Sequence, residues 1–332
     1  MSGYLLTPGP VPTSREVSLA EARELIGHRG AAFSEIFLRI EAKLSKLLRS
    51  GGPVAILPSS GTGALESLAA NLAGPDTRAI SVSCGVFGDR FREITALGGT
   101  KMINVDIEPG GWASPEIVSG AVAANPDADV LLLTQNETST GVMNPIREII
   151  AALPRDKRPL VLVDGVSSVG AMPCYPEEWG IDGLAAASQK GLLTPPGLGF
   201  VWLSERGWEA ASARKCPSYY FDLPRQRKYL DRDAPENPYT PPVSLYYALD
   251  AALDTVTSDG WFEARRRASE ALAAGAESLG FQPLVSDKKF RSPGVTALTL
   301  PGGDIPSVIK RLRAMGLDPA GGQGTLKGRI MR

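Results

Sequence analysis

Histidine is almost missing from the chain: His28 is the single one in 332 residues. That excludes a zinc site built on several imidazoles and confines any nucleophile–histidine pair to one position. Cysteine is scarce as well. Cys84, Cys174 and Cys216 are odd in number, widely spaced and form no C-x-x-C pair, which argues against a disulfide framework and for a reducing compartment. No apolar run approaches the roughly 18 residues of a membrane span. Met1 to Val17 carries Pro8, Pro10 and Pro12 but no basic start followed by an apolar stretch, so it does not read as a secretion signal. A cytoplasmic protein is expected. An excess of one charge is lacking too: 35 Lys and Arg stand against 36 Asp and Glu, a net charge of -1, which offers no field for gripping a polyanion and makes nucleic acid an unexpected partner.

What the chain does have is core-forming material, 43% hydrophobic residues, enough for one large domain and something smaller. Between Pro53 and Ser204, short Val/Ile/Leu-rich runs alternate with segments that read as helices. The candidate strands are Val54–Leu57, Ala79–Ser83, Met102–Val105, Val130–Thr134, Leu160–Asp164, Gly183–Ala187 and Gly199–Leu203. Several are apolar throughout, as strands covered on both faces are. This predicts a three-layer α/β unit with a mostly parallel seven-stranded sheet. Lys215–Pro242, rich in Pro, Tyr and charge, reads as a long irregular excursion. Helices are expected over Val243–Val256 and Trp261–Leu279, the latter closed by Gly280. The rhythm then changes to a strand Val295–Leu300, a helix Asp304–Met315 and a last short strand Gly328–Met331, a smaller α+β unit. The expected divisions are an arm over 1–20, a large domain over 21–255 and a small one over 256–332.

Three places could carry chemistry. Ser59-Ser60-Gly61-Thr62-Gly63 follows a strand and precedes an expected helix Ala64–Leu72, so glycine turns, hydroxyls and helix-start amides form a cup for a phosphate. It lacks the Gly-Lys-Ser/Thr ending of a nucleotide loop and the spacing of a dinucleotide fingerprint. Asp164 ends an apolar strand, where ligands sit in open α/β sheets, and can keep a ring nitrogen protonated. Lys190 follows another apolar strand, in Ser188-Gln189-Lys190-Gly191, and desolvation would make its amine a nucleophile toward an aldehyde. Each alone is more readily explained as a turn, a cap or a lysine reaching for water. Their order on strand ends of one sheet is what pyridoxal phosphate requires: an anchor, an electronic handle and an amine that carries it as an imine.

At this point the chain resembles the class V aminotransferases of fold type I, near the alanine–glyoxylate, serine–glyoxylate and serine–pyruvate branch. The matching stretches are Leu6-Thr7-Pro8-Gly9-Pro10, Ser60-Gly61-Thr62-Gly63-Ala64-Leu65-Glu66, Asn136-Glu137-Thr138-Ser139-Thr140-Gly141, Val163-Asp164-Gly165-Val166-Ser167-Ser168, Ser188-Gln189-Lys190, Pro195-Pro196-Gly197 and Tyr239-Thr240-Pro241. The resemblance implies that Ser60, Gly61, Thr62 and Gln189 hold the cofactor phosphate. It implies that Phe87 stacks on the pyridine ring, Val166 packs on its other face, Thr138 bonds the ring hydroxyl, Asp164 pairs with the ring nitrogen and Lys190 forms the imine. Thr240, with Tyr239, would reach the phosphate of a neighbouring subunit, which implies a homodimer; relatives often have a tyrosine where Asn237 stands. Arg332, in Lys327-Gly328-Arg329-Ile330-Met331-Arg332, would grip the substrate carboxylate, with Pro8 and Gly9 near the same pocket. Relatives continue past this arginine with a Gly-rich turn and a helix, so the small domain is expected to be incomplete.

The reaction expected from this resemblance moves an amino group from alanine or serine to glyoxylate or pyruvate, with Lys190 as general acid and base and Asp164 keeping the ring protonated. A 2-aminoethylphosphonate transaminase shares much of this layout, although Asn usually precedes its lysine. The competing reading from another class is a PLP-fold assembly subunit without catalysis.

Overall fold

The apolar runs of the sequence become one seven-stranded sheet in the computed structural model, which describes residues 3–154 and 158–332. Met1 and Ser2, the start of the expected arm, lie outside the described residues. The strands are β1 (Val54–Pro58), β2 (Arg78–Ser83), β3 (Lys101–Asp106), β4 (Val130–Thr134), β5 (Leu160–Asp164), β6 (Gly183–Ala187) and β7 (Leu198–Leu203). They lie side by side in the order β1, β7, β6, β5, β4, β2, β3. All pairings are parallel except those of β7, which runs against both β1 and β6. Strands β4, β6 and β7 are buried at every residue, because helices cover both faces and leave no solvated side to demand alternation.

Two helices on the faces of the sheet bear on the site's surroundings. Gly61–Leu72 packs on β6 and β7. Ala31–Leu48, which the strand-led reading of the sequence overlooked, buries Phe33, Ile36, Phe37, Ile40, Leu44 and Leu47 along one stripe and packs on Val243–Val256. Phe33 and Phe37 meet the fully buried Tyr246 ring at 5.1 and 5.9 Å. The Tyr246 hydroxyl donates to Asn237 Oδ1 (2.7 Å), and Asn237 Nδ2 donates to the carbonyl of Ile56 in β1 (2.8 Å). Asn237 is therefore a buried strut tying the 215–242 segment to the sheet.

Elsewhere the structure corrects the sequence reading. The supposedly irregular Lys215–Pro242 contains a helix, Leu223–Leu230, capped by Asp222, whose side chain accepts from the Arg225 amide, with Pro at the helix start. Its polar composition hid it, since only Leu223, Gln226 and Leu230 are buried. The strand expected over Val295–Leu300 shrinks to Leu298–Thr299, because Ser292 Oγ takes the amides of Gly294 and Val295 into a turn (3.0 Å each). Gly328–Met331 is not a strand. Gly328 turns with φ of 75°, and only Met331 pairs, exchanging both hydrogen bonds with Leu298 (2.8 and 2.9 Å). The arm is ordered by a two-residue strand, Tyr4–Leu5, parallel to Leu317–Asp318, and by a helix Arg15–Glu21 capped by Ser14. Helices Val243–Val256, Trp261–Ser278 and Ile305–Ala314, the last capped by Asp304, stand where expected. Among the described residues no helix is long and apolar enough to cross a membrane.

At the edge of the sheet away from the site, buried Asp182 accepts from the Val161 amide (2.8 Å), Arg158 Nη2 (3.1 Å) and Ser204 Oγ (3.2 Å). It thereby joins the ends of three adjacent strands. Replacing it with Ala orphans a buried amide and a mostly buried guanidinium, a loss on the order of 3 kcal/mol. Urea unfolding of Asp182→Ala is expected to show that loss as a lower midpoint; an unchanged midpoint would contradict it.

Candidate active site

Strand β7 returns directly beside β6, so residues 188–197 form a tight connection at the carboxyl edge of the sheet. Ser188 pins it: its amide donates to the Leu198 carbonyl (2.9 Å), and its hydroxyl donates to the Pro195 carbonyl (2.7 Å) while accepting from the Leu198 amide (3.2 Å). The loop so held carries Lys190, whose Nζ donates to the Pro8 carbonyl (3.3 Å). The arm crosses immediately over this amine. Gly9 has φ of 147°, and a Cβ there would collide with the Lys190 Nζ; only glycine allows the approach. Burial, and next the guanidinium of Arg332, push the Lys190 pKa below the ordinary lysine value; Asp164 opposes them and Arg90 adds to them. More of the amine is therefore free base than in water.

Asp164 ends β5, buried, with Oδ1 accepting from the Val166 amide (2.9 Å). Burial raises its carboxyl to about 7 against the pull of that amide, and the neighbouring Glu137 charge pushes the same way. An isolated anion is unfavourable here, and a cationic ring nitrogen would remove the penalty. Val166 sits between this carboxylate and the cup, because a Cβ on Gly61 would lie 2.7 Å from both Val166 methyls and 3.0 Å from Ala187. The missing side chain brings the helix start against the ends of β5 and β6.

The helix of the cup begins at Gly61 rather than Ala64. Ser60 is its N-cap in extended conformation, yet its hydroxyl makes no capping bond. The first amide that bonds within the chain is that of Ala64, to the Ser60 carbonyl (3.2 Å). Among the described residues the amides of Gly61, Thr62 and Gly63 are left to an outside acceptor, beside the exposed Ser60 and Thr62 hydroxyls. The Gln189 amide has a buried end, Oε1, without a partner; the opposite rotation of the amide would offer an N–H there. This donor set fits a phosphate. With Asp164 and Lys190 it fits pyridoxal phosphate.

The sequence reading assigned no role to the residue that organises the other wall. Glu137 is fully buried. Its Oε2 accepts from the amides of Phe87 (3.1 Å) and Gly88 (3.0 Å) in the first turn of helix Val86–Leu97, and its Oε1 from the Ser139 amide (3.0 Å) and hydroxyl (2.6 Å). The Ser139 hydroxyl in turn accepts from the Val86 amide (3.0 Å). Burial pushes the Glu137 pKa up, and these hydrogen bonds pull it down. A lone acid in the polar run Thr134–Thr140, directly after the apolar strand Val130–Leu133, was the available signal. Beside it, Thr138 donates to Ser167 Oγ (2.8 Å), and the Thr138 carbonyl accepts from Arg332 Nη1 (2.9 Å). Arg332 is further held by the Gly321 carbonyl (2.9 Å) and Gln323 Oε1 (3.2 Å), which leaves Nη2 without a partner among the described residues. Phe87, Thr138, Arg332, Pro8, Gly9, Asp164 and Lys190 are thus brought together. Tyr239 and Thr240 are not joined to the cup by any hydrogen bond among the described residues. Tyr239 donates to the Tyr219 carbonyl (2.7 Å) and stacks on Tyr220 (4.9 Å), with Thr240 exposed beside it.

Comparison with known proteins identifies the family and the fold. The family model "Aminotransferase class-V" matches residues 16–325. A Synechococcus protein named soluble hydrogenase, small subunit, is 34% identical across 99% of this chain and 86% of its own length. An aspartate aminotransferase of subgroup IV from Thermus thermophilus superposes with a TM-score of 0.90 at 34% identity, covering 99% of this chain and 92% of that one. An alanine–glyoxylate aminotransferase from Nostoc gives a TM-score of 0.94 at 29% identity, covering 100% and 89%.

The Asp164 environment has a consequence for stability. A carboxyl whose folded pKa lies above its unfolded value of about 4 contributes stability at low pH and loses it as pH rises through the folded value of about 7. Cofactor-free wild type is therefore expected to lose stability between about pH 4 and pH 7, by at most about 1.4 kcal/mol per pH unit from this one proton. Asp164→Asn should flatten that slope. Parallel slopes for the two proteins in urea titrations would refute the assignment.

Proposed function

The chain belongs to the class-V aminotransferases, and from that premise we propose that it moves an amino group from alanine or serine to glyoxylate or pyruvate with pyridoxal phosphate as its cofactor. The observation that carries this reading is the convergence of a cornered lysine, a buried carboxylate and a cup of free amides at one sheet edge. When bound, the cofactor supplies the carbonyl carbon that receives the amino group and a ring that draws electrons from the substrate carbon.

The residues divide the rest of the work. The amides of Gly61 and Thr62, with the hydroxyls of Ser60 and Thr62 and the Gln189 amide, hold the phosphate. Phe87 and Val166 would lie on either face of the ring, Thr138 would bond its hydroxyl, and Asp164 would keep a proton on its nitrogen. Lys190 would hold the cofactor covalently through its Nζ, and that amine, when free, would act as the base and acid that moves a proton at the substrate carbon. The lowered pKa suits it to both tasks. Arg332 offers Nη2 to the substrate carboxylate, and Pro8 and Gly9 close the pocket over the amine. A homodimer suits the exposed Tyr219 and Tyr220 beside the half-buried Tyr239, with Tyr239 and Thr240 reaching a partner's phosphate. The three free thiols suit the cytoplasm.

Two substitutions test these roles. Lys190→Ala is expected to abolish turnover and to leave no cofactor fixed to the residue-190 peptide after borohydride treatment, read by mass spectrometry; full turnover would remove Lys190 from the chemistry. Arg332→Lys gives up a planar fork whose charge-assisted bonds are worth about 1.5–3 kcal/mol, so kcat/KM should fall roughly tenfold to a hundredfold, mostly through KM. A change confined to kcat would contradict a carboxylate-binding role.

A further inference from the structure

Asn136 and Thr138 flank Glu137, yet their side chains turn to Ser167 while Glu137 turns to helix Val86–Leu97. Among the described residues three atoms lie at hydrogen-bonding distance from the Ser167 hydroxyl: the Asn136 carbonyl (2.9 Å), Asn136 Nδ2 (2.9 Å) and Thr138 Oγ1 (2.8 Å). All three residues are buried, and a hydroxyl has one proton to give and two lone pairs to receive with. The carbonyl can only accept, and the amide N–H can only donate. Nδ2 is identified by its second contact, the Ser167 carbonyl (3.3 Å), which would repel the amide oxygen. If Ser167 gave its proton to Thr138 instead, its oxygen would face the Asn136 carbonyl with no proton between them. One arrangement satisfies every contact: Ser167 donates to the Asn136 carbonyl and accepts from both Asn136 Nδ2 and Thr138.

The direction of this chain matters one bond further on. Thr138 also owns a single hydroxyl proton, and Ser167 takes it. No other hydrogen bond engages Thr138 Oγ1 among the described residues, so lone pairs are what it has left to offer. Ser167 follows Val166 in the chain, so the same hydroxyl ties the Thr138 wall to the segment that leaves Asp164.

We propose that Ser167 is a positioning residue that sets the direction of the hydrogen bond at the cofactor's ring oxygen, so that Thr138 accepts there and does not donate. The inference rests on the aminotransferase reading, which brings Thr138 to that oxygen, and adds to it the polarity of the contact. An accepting neighbour favours a proton that stays on the ring oxygen or is shared between it and the Lys190 nitrogen. A donating neighbour favours the bare, anionic oxygen. Ser167 thereby makes the site hold that proton to a higher pH than a freely rotating Thr138 would.

The test is an absorbance titration of the cofactor-loaded protein, read as the pH midpoint at which the violet-region band gives way to its near-ultraviolet form. Thr138→Val is measured in two backgrounds. In the wild-type background it removes an acceptor, and the midpoint is expected to fall by roughly half a unit to one unit, the scale of one neutral hydrogen bond. Ser167→Ala returns the Thr138 proton and should lower the midpoint by itself; adding Thr138→Val there removes a donor and should raise it again. General loosening of the site does not reverse sign between backgrounds. A Thr138→Val midpoint that rises in both would show Thr138 donating and overturn the proposal, and a midpoint that moves in neither would overturn it as well. The wild-type background decides the sign even if Ser167→Ala does not fold. Either contrary result leaves the aminotransferase reading standing so long as the band forms and responds to L-alanine. A protein that forms no violet-region band with the cofactor removes that reading, and this inference with it.

Discussion

A single buried carboxylate, Glu137, organises the wall of the site that faces the sheet edge. With no cation at hydrogen-bonding distance among the described residues, it is held by the first amides of helix Val86–Leu97 and by Ser139. Helix starts stabilise anions in this way, through free N–H groups and the aligned peptide dipoles. The consequence is mechanical. One acid fixes the helix that carries Phe87 and Arg90, the turn that carries Thr138, and, through the Thr138 carbonyl, the guanidinium of Arg332. Leaving those donors unpaired in a dry interior would cost more than any one of the contacts contributes, so the arrangement is all-or-none.

The opposite wall is built by absence of side chains. Gly61 lets a helix start rest on Val166 and Ala187, and Gly9 lets the arm lie on Lys190. Between the walls the electrostatics push two groups away from their usual behaviour in complementary directions. Asp164 is driven up by burial and Lys190 is driven down. A group that carries a protonated ring nitrogen and an aldehyde relieves both, since it gives the acid a cation and the amine a partner.

Much of this was legible in the sequence because it depends on local pattern. All seven strands of the large sheet could be read from apolar runs too short for helices and bounded by turn residues; one of them ends in Asp164, and the loop that follows another carries Lys190. Helix Ala31–Leu48 had a readable stripe from Phe33 to Leu47, but its N-cap is Gly30, which makes no side-chain capping bond. Leu223–Leu230 had both a cap and a Pro, and was obscured by its charge. What pattern could not reveal are partnerships across long sequence distances. Glu137 meets Phe87, Arg332 meets Thr138, and Asn237 braces Ile56 against Tyr246. The last explains why an asparagine rather than a tyrosine stands at 237 in this chain: it fills a buried polar gap with both ends satisfied.

The most direct measurement is the absorbance spectrum of the protein loaded with pyridoxal phosphate, followed through addition of an amino acid and then of glyoxylate. The account predicts a violet-region band that collapses with the donor and returns with the acceptor. A protein that takes up no cofactor, or a band indifferent to every amino donor, would contradict it.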